Sequence, residues 1–299
     1  MSIFLSIVGV YIFVLLGFVA KRTFSEIHER TLVLLSVYFL QPILSFWGIL
    51  GAKIDLTALS APLMYFGISL FSAVFGFLMF RVLFKEKKDA VIVTAGGVIG
   101  NTGNLGIPIL LAMFGKSVAL YAVLINLANI FVLYIIGVFL YSMGSYTAKE
   151  AIKNILSMPV IWSSGLALWM NYAQIGIPDA LTQTVEMGAY TSMTIQLIIF
   201  GVFLGGLTRF KPDIKLVAWG MGYKFLVVPA FAFLALTLAP LDPLVRALVF
   251  LQVCMPLAVN NVNLASLYDC KPYTVTANIL VSSVLFVGLI FLYKGVFAP

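Results

Sequence analysis

The feature that most constrains this chain is an interruption inside a long apolar segment. Residues 100–108 read Gly-Asn-Thr-Gly-Asn-Leu-Gly-Ile-Pro and are flanked by apolar residues on both sides. Hydrocarbon offers no water to pair with the backbone groups that such a break releases, so a break persists only where it lines a cavity or is buried in protein. A second interruption, Met-Pro-Leu-Ala-Val-Asn-Asn-Val-Asn, occupies residues 255–263. Two broken spans at corresponding places in two halves of a chain are typical of secondary transporters built from an inverted repeat.

The composition indicates a multi-pass membrane protein. Of its 299 residues, 62% are hydrophobic and 10% are charged, and the mean hydropathy is +1.10, whereas soluble domains carry about 25% charged residues. We predict an all-α fold with ten transmembrane helices, since about 20 apolar residues suffice to span a bilayer. The predicted spans lie near residues 3–20, 31–50, 60–84, 90–114, 118–142, 152–171, 181–204, 215–237, 244–268 and 274–294.

The basic residues predict an orientation in the cell membrane. Most of the 18 lysines and arginines lie in loops that follow odd-numbered spans, which places those loops in the cytoplasm and both termini outside. The net charge of +7 is explained in this way without a nucleic-acid partner. An odd number of spans in each half gives the halves opposite orientations. We predict repeats at residues 1–142 and 152–299, joined by a cytoplasmic linker at residues 143–151.

The interruptions have the composition of a binding site for an anion. The N-terminal end of a half-helix carries partial positive charge, and asparagine amides can hold a carboxylate. Glycine allows close backbone approach, and proline prevents the helix from re-forming. The alternative interpretation of the interruptions is that their glycines and prolines serve helix packing and form no binding site. The predicted substrate-binding residues are Asn101, Thr102, Gly103, Asn104, Asn260, Asn261 and Asn263, and the predicted helix-breaking residues are Gly100, Gly106, Pro108 and Pro256.

Three motifs follow one another along the chain: Gln-Pro-Ile-Leu-Ser-Phe at residues 41–46, the first interruption extended to residues 100–110, and Met-Pro followed by Leu-Ala and Tyr within residues 255–268. They resemble, in the same order, motifs of the auxin efflux carrier family, which includes the plant PIN-FORMED carriers and many bacterial permeases. Residues 100–110 are similar to the signature of its fourth span, and residues 41–46 resemble the Leu-Pro-Leu-Leu-Ser-Phe of its second span. Residues 255–268, with Met-Pro followed by Leu-Ala and Tyr, resemble its ninth span.

The resemblance implies two inverted five-helix repeats with crossed broken helices 4 and 9, a fold related to bile-acid/sodium symporters and NhaA-like antiporters. It also implies a homodimer and a carboxylate substrate beside the crossing, where the plant carboxylate-binding asparagine falls on Asn101. This chain has Asn261 in place of a second proline and Asn104-Leu105 in place of Val-Met, and it lacks the long cytoplasmic loop of the plant carriers. The more polar site suits a small acid better than an indole, and the resemblance to bacterial members, which are associated with dicarboxylates, implies a malate- or malonate-like acid rather than an auxin-like carboxylate.

Further polar residues within the spans are predicted to support the site or to couple an ion. Asn126 and Asn129 lie one helical turn apart and should support the crossing. Lys224 could balance a substrate carboxylate, pair with Glu186, or extend to the membrane surface, because a charge at that depth is costly. The full set is Gln41, Pro42, Asn126, Asn129, Glu186, Gln196, Lys224 and Asn278.

Other function classes fit the sequence less well. The chain has a single histidine, His28, no His-Glu-x-x-His motif and no pair of aspartates within its spans, so we predict neither an enzyme nor a metal or cofactor. Proton or sodium symport and uniport both remain open, whereas strong antiport is disfavoured. We predict a secondary transporter of a small organic acid; the alternative is a channel-like protein or an ion-coupled transporter of another solute.

Overall fold

The computed structural model describes residues 2–24, 26–52, 54, 58–207 and 211–297, and for residues 2–11 and 290–297 it describes the backbone alone. Helices make up nearly all of these residues. They are α1 (Ser2–Thr23), α2 (Glu29–Leu50), α3 (Ser60–Leu83), α4 (Lys87–Val98), α5 (Thr102–Phe114), α6 (Lys116–Met143), α7 (Ala148–Leu156), α8 (Pro159–Tyr172), α9 (Asp179–Gly206), α10 (Ile214–Leu238), α11 (Pro243–Val253), α12 (Asn260–Leu267) and α13 (Pro272–Phe297).

The prediction of an all-helical, multi-pass membrane protein is confirmed. Within the described ranges, six helices are long and apolar enough to cross a membrane, and α7 and α8 would form a seventh span across their 53° bend. In the same ranges no strand forms; the β pairing consists of one isolated antiparallel bridge between Gly100 and Leu257. Ten spans in an inverted repeat remain a prediction.

Both predicted interruptions are breaks between helices. The first broken span consists of α4 and α5; α4 ends at Val98, and Ile99 is extended, with φ −87° and ψ 93°. A π-helical turn over Thr102–Gly106 then starts α5, and Pro108, lacking an N–H, fits the first turn of the α-helical segment Ile107–Phe114 that follows it. The second broken span consists of α11 and α12, between which residues 254–259 include Pro256.

The helices pack in two groups. In the first group, α1 lies along α9, and α2 packs against α8 and α9. Glycines bring the first pair very close: a Cβ on Gly17 would lie 2.1 Å from the carbonyl oxygen of Ile198, and one on Gly201 would lie 2.0 Å from that of Val14. Small residues allow such contact between apolar helices. In the second group, α3, α6, α10 and α13 surround the two broken spans.

The segment predicted as a linker is partly helical. Helix α6 ends at Met143 and α7 begins at Ala148. The start of α7 is fixed by a capping box, in which the backbone N–H of Thr147 donates to Glu150 Oε2 at 2.8 Å and that of Glu150 donates to Thr147 Oγ1 at 3.3 Å. Such reciprocal pairing satisfies two of the free N–H groups at a helix start.

Ion pairs join the two broken spans at one end of the bundle. Lys88, in the first turn of α4, lies 3.0 Å from Asp269 in the turn between α12 and α13. Lys271 in the same turn pairs with Glu86 at 3.2 Å and also with Asp89. The start of α4 and the end of α12 therefore lie at the same end of the molecule.

Candidate functional site

The two breaks contact each other directly. The backbone N–H of Asn101 donates to the carbonyl of Pro256 at 2.8 Å, and that of Ala258 donates to the carbonyl of Ile99 at 3.0 Å. The Asn261 amide donates to Ile99 at 3.1 Å and to Ala258 at 2.9 Å. Each break thus supplies hydrogen-bond partners for the backbone of the other, as a buried break requires.

Four half-helix ends meet at this contact. The C-terminal ends of α4 and α11, whose last carbonyl groups have no partner within their own helix, approach from one side. The N-terminal ends of α5 and α12, with their free N–H groups, begin on the other side. The site therefore has a partially negative side and a partially positive side, although it is built largely from backbone dipoles.

Lys224 occupies the negative side. Its Nζ donates to the carbonyl of Gly97 at 3.1 Å and to that of Val253 at 3.1 Å. These carbonyls belong to the last turns of α4 and α11, and the side chain is 1% exposed. A π-helical turn at Tyr223–Val227 in α10 carries the lysine.

This position corrects two of the alternatives for Lys224. The lysine does not extend to the surface, because its ammonium group is bonded to carbonyls in the protein interior. It also does not pair with Glu186: in the part of the chain that the structure covers, the ion pairs involve Lys21, Lys88 and Lys271. Glu186 instead accepts a hydrogen bond from Tyr190 at 3.1 Å.

A cavity of about 530 Å³ lies on the positive side. Its volume is within the range of small-molecule sites, and its lining contains no Asp, Glu, Lys, Arg or His among the described residues. Trp47, Leu133 and Met193 contribute apolar surface. The predicted residues that line it are Gln41, Gly100, Asn101, Thr102, Gly103, Asn104, Asn126, Asn129, Gln196 and Asn260.

The other predicted residues lie outside the cavity lining; they are Pro42, Gly106, Pro108, Glu186, Lys224, Pro256, Asn261, Asn263 and Asn278. Asn261 is fully buried in the contact between the breaks, where Tyr141 donates to its Oδ1 at 3.1 Å. Asn263, also buried, donates to Asn260 Oδ1 at 3.3 Å. In this geometry Asn263 orients the amide of Asn260, which does reach the cavity.

Two asparagines of α6 hold the first break. Asn126 Oδ1 accepts from the hydroxyl of Thr102 at 2.9 Å, and Asn129 Nδ2 donates to the carbonyl of Gly100 at 2.9 Å. The hydroxyl of Tyr65 in α3 donates to Asn129 Oδ1 at 2.9 Å. Tyr65 is not among the residues predicted from the sequence, because one tyrosine in an apolar span carries no local signal of its partner.

Four buried amides have open hydrogen-bonding capacity within the described part of the chain. Gln41 Nε2, at the cavity wall, has no partner there, and the same holds for Asn263 Oδ1 and for both amide atoms of Gln252 and of Asn278. Gln196 differs, because its amide donates to Ser192 in its own helix at 3.0 Å. Buried polar groups are usually paired, so the Gln41 amide beside the cavity has capacity for a further hydrogen bond.

Comparison with known proteins gives two findings. A family model described as membrane transport protein matches residues 2–293. The chain is also similar to a protein of Methanocaldococcus jannaschii named uncharacterized transporter MJ1031, with 25% identity over 292 residues and 92% of each chain covered.

Proposed function

The chain belongs to the membrane transport protein family, that of the auxin efflux carriers, and on this premise we propose that it is a secondary transporter of a small organic acid anion. The observation that carries the proposal is the cavity at the N-terminal ends of α5 and α12. Family membership supports a transporter, whereas the geometry of the cavity supports the class of substrate.

The charge of the site suits one carboxylate. Each helix N-terminus is equivalent to roughly +0.5 elementary charge, so the two ends together offer about one positive charge without a basic side chain. The amides of Asn101 and Asn260 line the cavity beside these ends and can donate to carboxylate oxygens. The remaining amides, among them Gln41, can bond the second polar group of a malate- or malonate-like acid.

The two groups of helices support alternating access. We infer that α1, α2, α8 and α9 form a scaffold and that the broken spans move against it with α3, α6, α10 and α13. The cavity lies between the groups, because it is lined by Gln41 and Gln196 on one side and by residues 100–104 on the other. In this proposal each group contains helices from both five-helix repeats, and one group rocks against the other around the site.

The proposed orientation assigns a direction to the cavity. With both termini outside the cell, the C-terminal end of α2 faces outward, and the cavity reaches Gly51 and Ala52 at that end. The ion pairs of Lys88 and Lys271 lie at the other end. The conformation is then outward-facing, with its cytoplasmic side closed.

Uptake into liposomes tests the proposal. Purified protein is reconstituted and supplied with radiolabelled malate, malonate or indole-3-acetate, with and without a pH gradient. We expect saturable uptake of one acid, and its response to the gradient reports proton coupling. Absence of uptake of all three acids would contradict the assigned substrate class.

An asparagine variant tests the site. Loss of one hydrogen bond to a charged group costs about 1.5–3 kcal/mol, so Asn101→Ala should raise KM by about 10- to 100-fold. Asn154→Ala, outside the cavity, is the matched control and should retain the wild-type KM. An unchanged KM for Asn101→Ala would remove Asn101 from the binding site.

A further inference from the structure

Lys224 is a cation that the proposed binding of substrate does not use. It lies outside the lining of the cavity, is 1% exposed, and takes part in none of the ion pairs formed among the described residues. A charge buried in a span is costly unless polar partners compensate for it. Its partners here are backbone carbonyls, which points to a role at the helix ends.

The carbonyls around Lys224 have the chemistry of a monovalent-cation site. Gly97 and Val253 lie in the last turns of two half-helices that end at the same place, and both accept from Nζ at 3.1 Å. The C-terminal ends of broken helices and unwound carbonyls coordinate sodium ions in transporters, and carbonyl oxygens replace the hydration shell of potassium ions in channels. A cation at this place offsets the partial negative charge of both helix ends.

Backbone of both broken spans lies close to the ammonium group. A Cβ on Gly100 would lie 3.4 Å from Nζ, and the carbonyl of Val253 accepts from Nζ at 3.1 Å. The lysine is attached to α10, a helix separate from either broken span. The cation is therefore supplied by the chain and cannot dissociate.

We propose that the ammonium group of Lys224 is a tethered substitute for a bound metal cation, and that the transporter moves its substrate without co-transport of sodium or potassium. The inference builds on the proposed function, since it names the coupling of that transport. It also identifies a latent cation site, which is exposed when the side chain is shortened.

The first experiment uses the wild-type protein. Carboxylate uptake into liposomes is measured in sodium, potassium and N-methyl-D-glucamine salts at equal ionic strength. We expect the same rate in all three, because no metal cation has to bind. A rate that requires sodium or potassium would overturn the proposal.

The second experiment measures cation binding without reference to transport. The Tm of purified Lys224→Ala is compared in sodium, methylammonium and N-methyl-D-glucamine chlorides. Sodium or methylammonium at a concentration of about ten times its Kd should fill the vacated site and raise the Tm of Lys224→Ala by about 3 °C. Wild type and the control Lys153→Met, in which an exposed lysine is changed, should show no cation-specific shift in Tm. An equal Tm of Lys224→Ala in all three salts would refute the latent site.

Two further variants keep the test decisive. Lys224→Arg retains the cation and should be insensitive to sodium, like wild type, whereas Lys224→Met fills the space without charge and should gain neither stability nor uptake from added cations. If methylammonium restores uptake to Lys224→Ala, the charge itself is required. If wild type takes up none of the acids, the substrate assignment fails, while the Tm comparison still decides the proposal for Lys224.

Discussion

The hydrogen bonds of Asn129 allow the stability of the first break to be predicted. The side chain is 7% exposed and bonds the carbonyl of Gly100 and the hydroxyl of Tyr65, each at 2.9 Å. Asn129→Ala removes both bonds and leaves two buried polar groups without these partners. An unpaired buried group costs about 1–3 kcal/mol, and hydrogen bonds between spans average about 0.6 kcal/mol with a maximum near 1.7 kcal/mol.

These magnitudes predict that Asn129→Ala lowers the free energy of unfolding by about 2–4 kcal/mol. Tyr65→Phe loses one of the two bonds and should cost about 1 kcal/mol. The assay is reversible unfolding by a denaturing detergent, applied to both single variants and to the double variant. The double-mutant cycle should give a coupling energy of about 0.6–1.7 kcal/mol. A loss below about 0.5 kcal/mol for Asn129→Ala, or no coupling to Tyr65, would refute the assignment of these bonds as support for the break.

Two further predictions concern packing and thiol reactivity. Gly201→Ala places a Cβ 2.0 Å from the carbonyl oxygen of Val14, so α1 and α9 would have to move apart, and the substitution should destabilise the protein by about 1–3 kcal/mol and lower the Tm. Gly222→Ala, which meets nothing within 4 Å, is the control and should not lower the Tm. Burial raises the pKa of the Cys270 thiol to about 12, so at pH 8 only about one thiol in 10,000 is the reactive thiolate. In a Cys254→Ser background, Cys270 of the native protein should resist maleimide at pH 8 and should react once the protein is unfolded. Rapid labelling of Cys270 in the native protein would contradict the predicted low reactivity.

The sequence was sufficient to locate the breaks and their support. The clusters at residues 100–108 and 255–263 are unusual for membrane helices, so their positions follow from local composition. Asn126 and Asn129 could be assigned to one face because helical spacing fixes which residues share it. The structure places both asparagines against the first break.

The sequence was not sufficient to give contacts between distant spans. The position of Lys224 depends on how α10 is rotated against α4 and α11, and an apolar span carries no polar face that would define this rotation. The roles of Tyr65 and Tyr141 depend on helices distant in sequence for the same reason. The resemblance of residues 100–110 to a family signature indicated a binding site, but it could not show that Asn261 points into the contact between the breaks.

The pairing between the breaks also constrains how the protein is made. The carbonyl of Ile99 is bonded to Asn261, 162 residues later, and to the N–H of Ala258. At about 5–20 residues per second, a ribosome needs roughly 10–30 s to synthesise that interval. During this time the first break is in the membrane without its backbone partners, so the nascent chain requires water, lipid headgroups or the insertion machinery to shield it until the second half arrives.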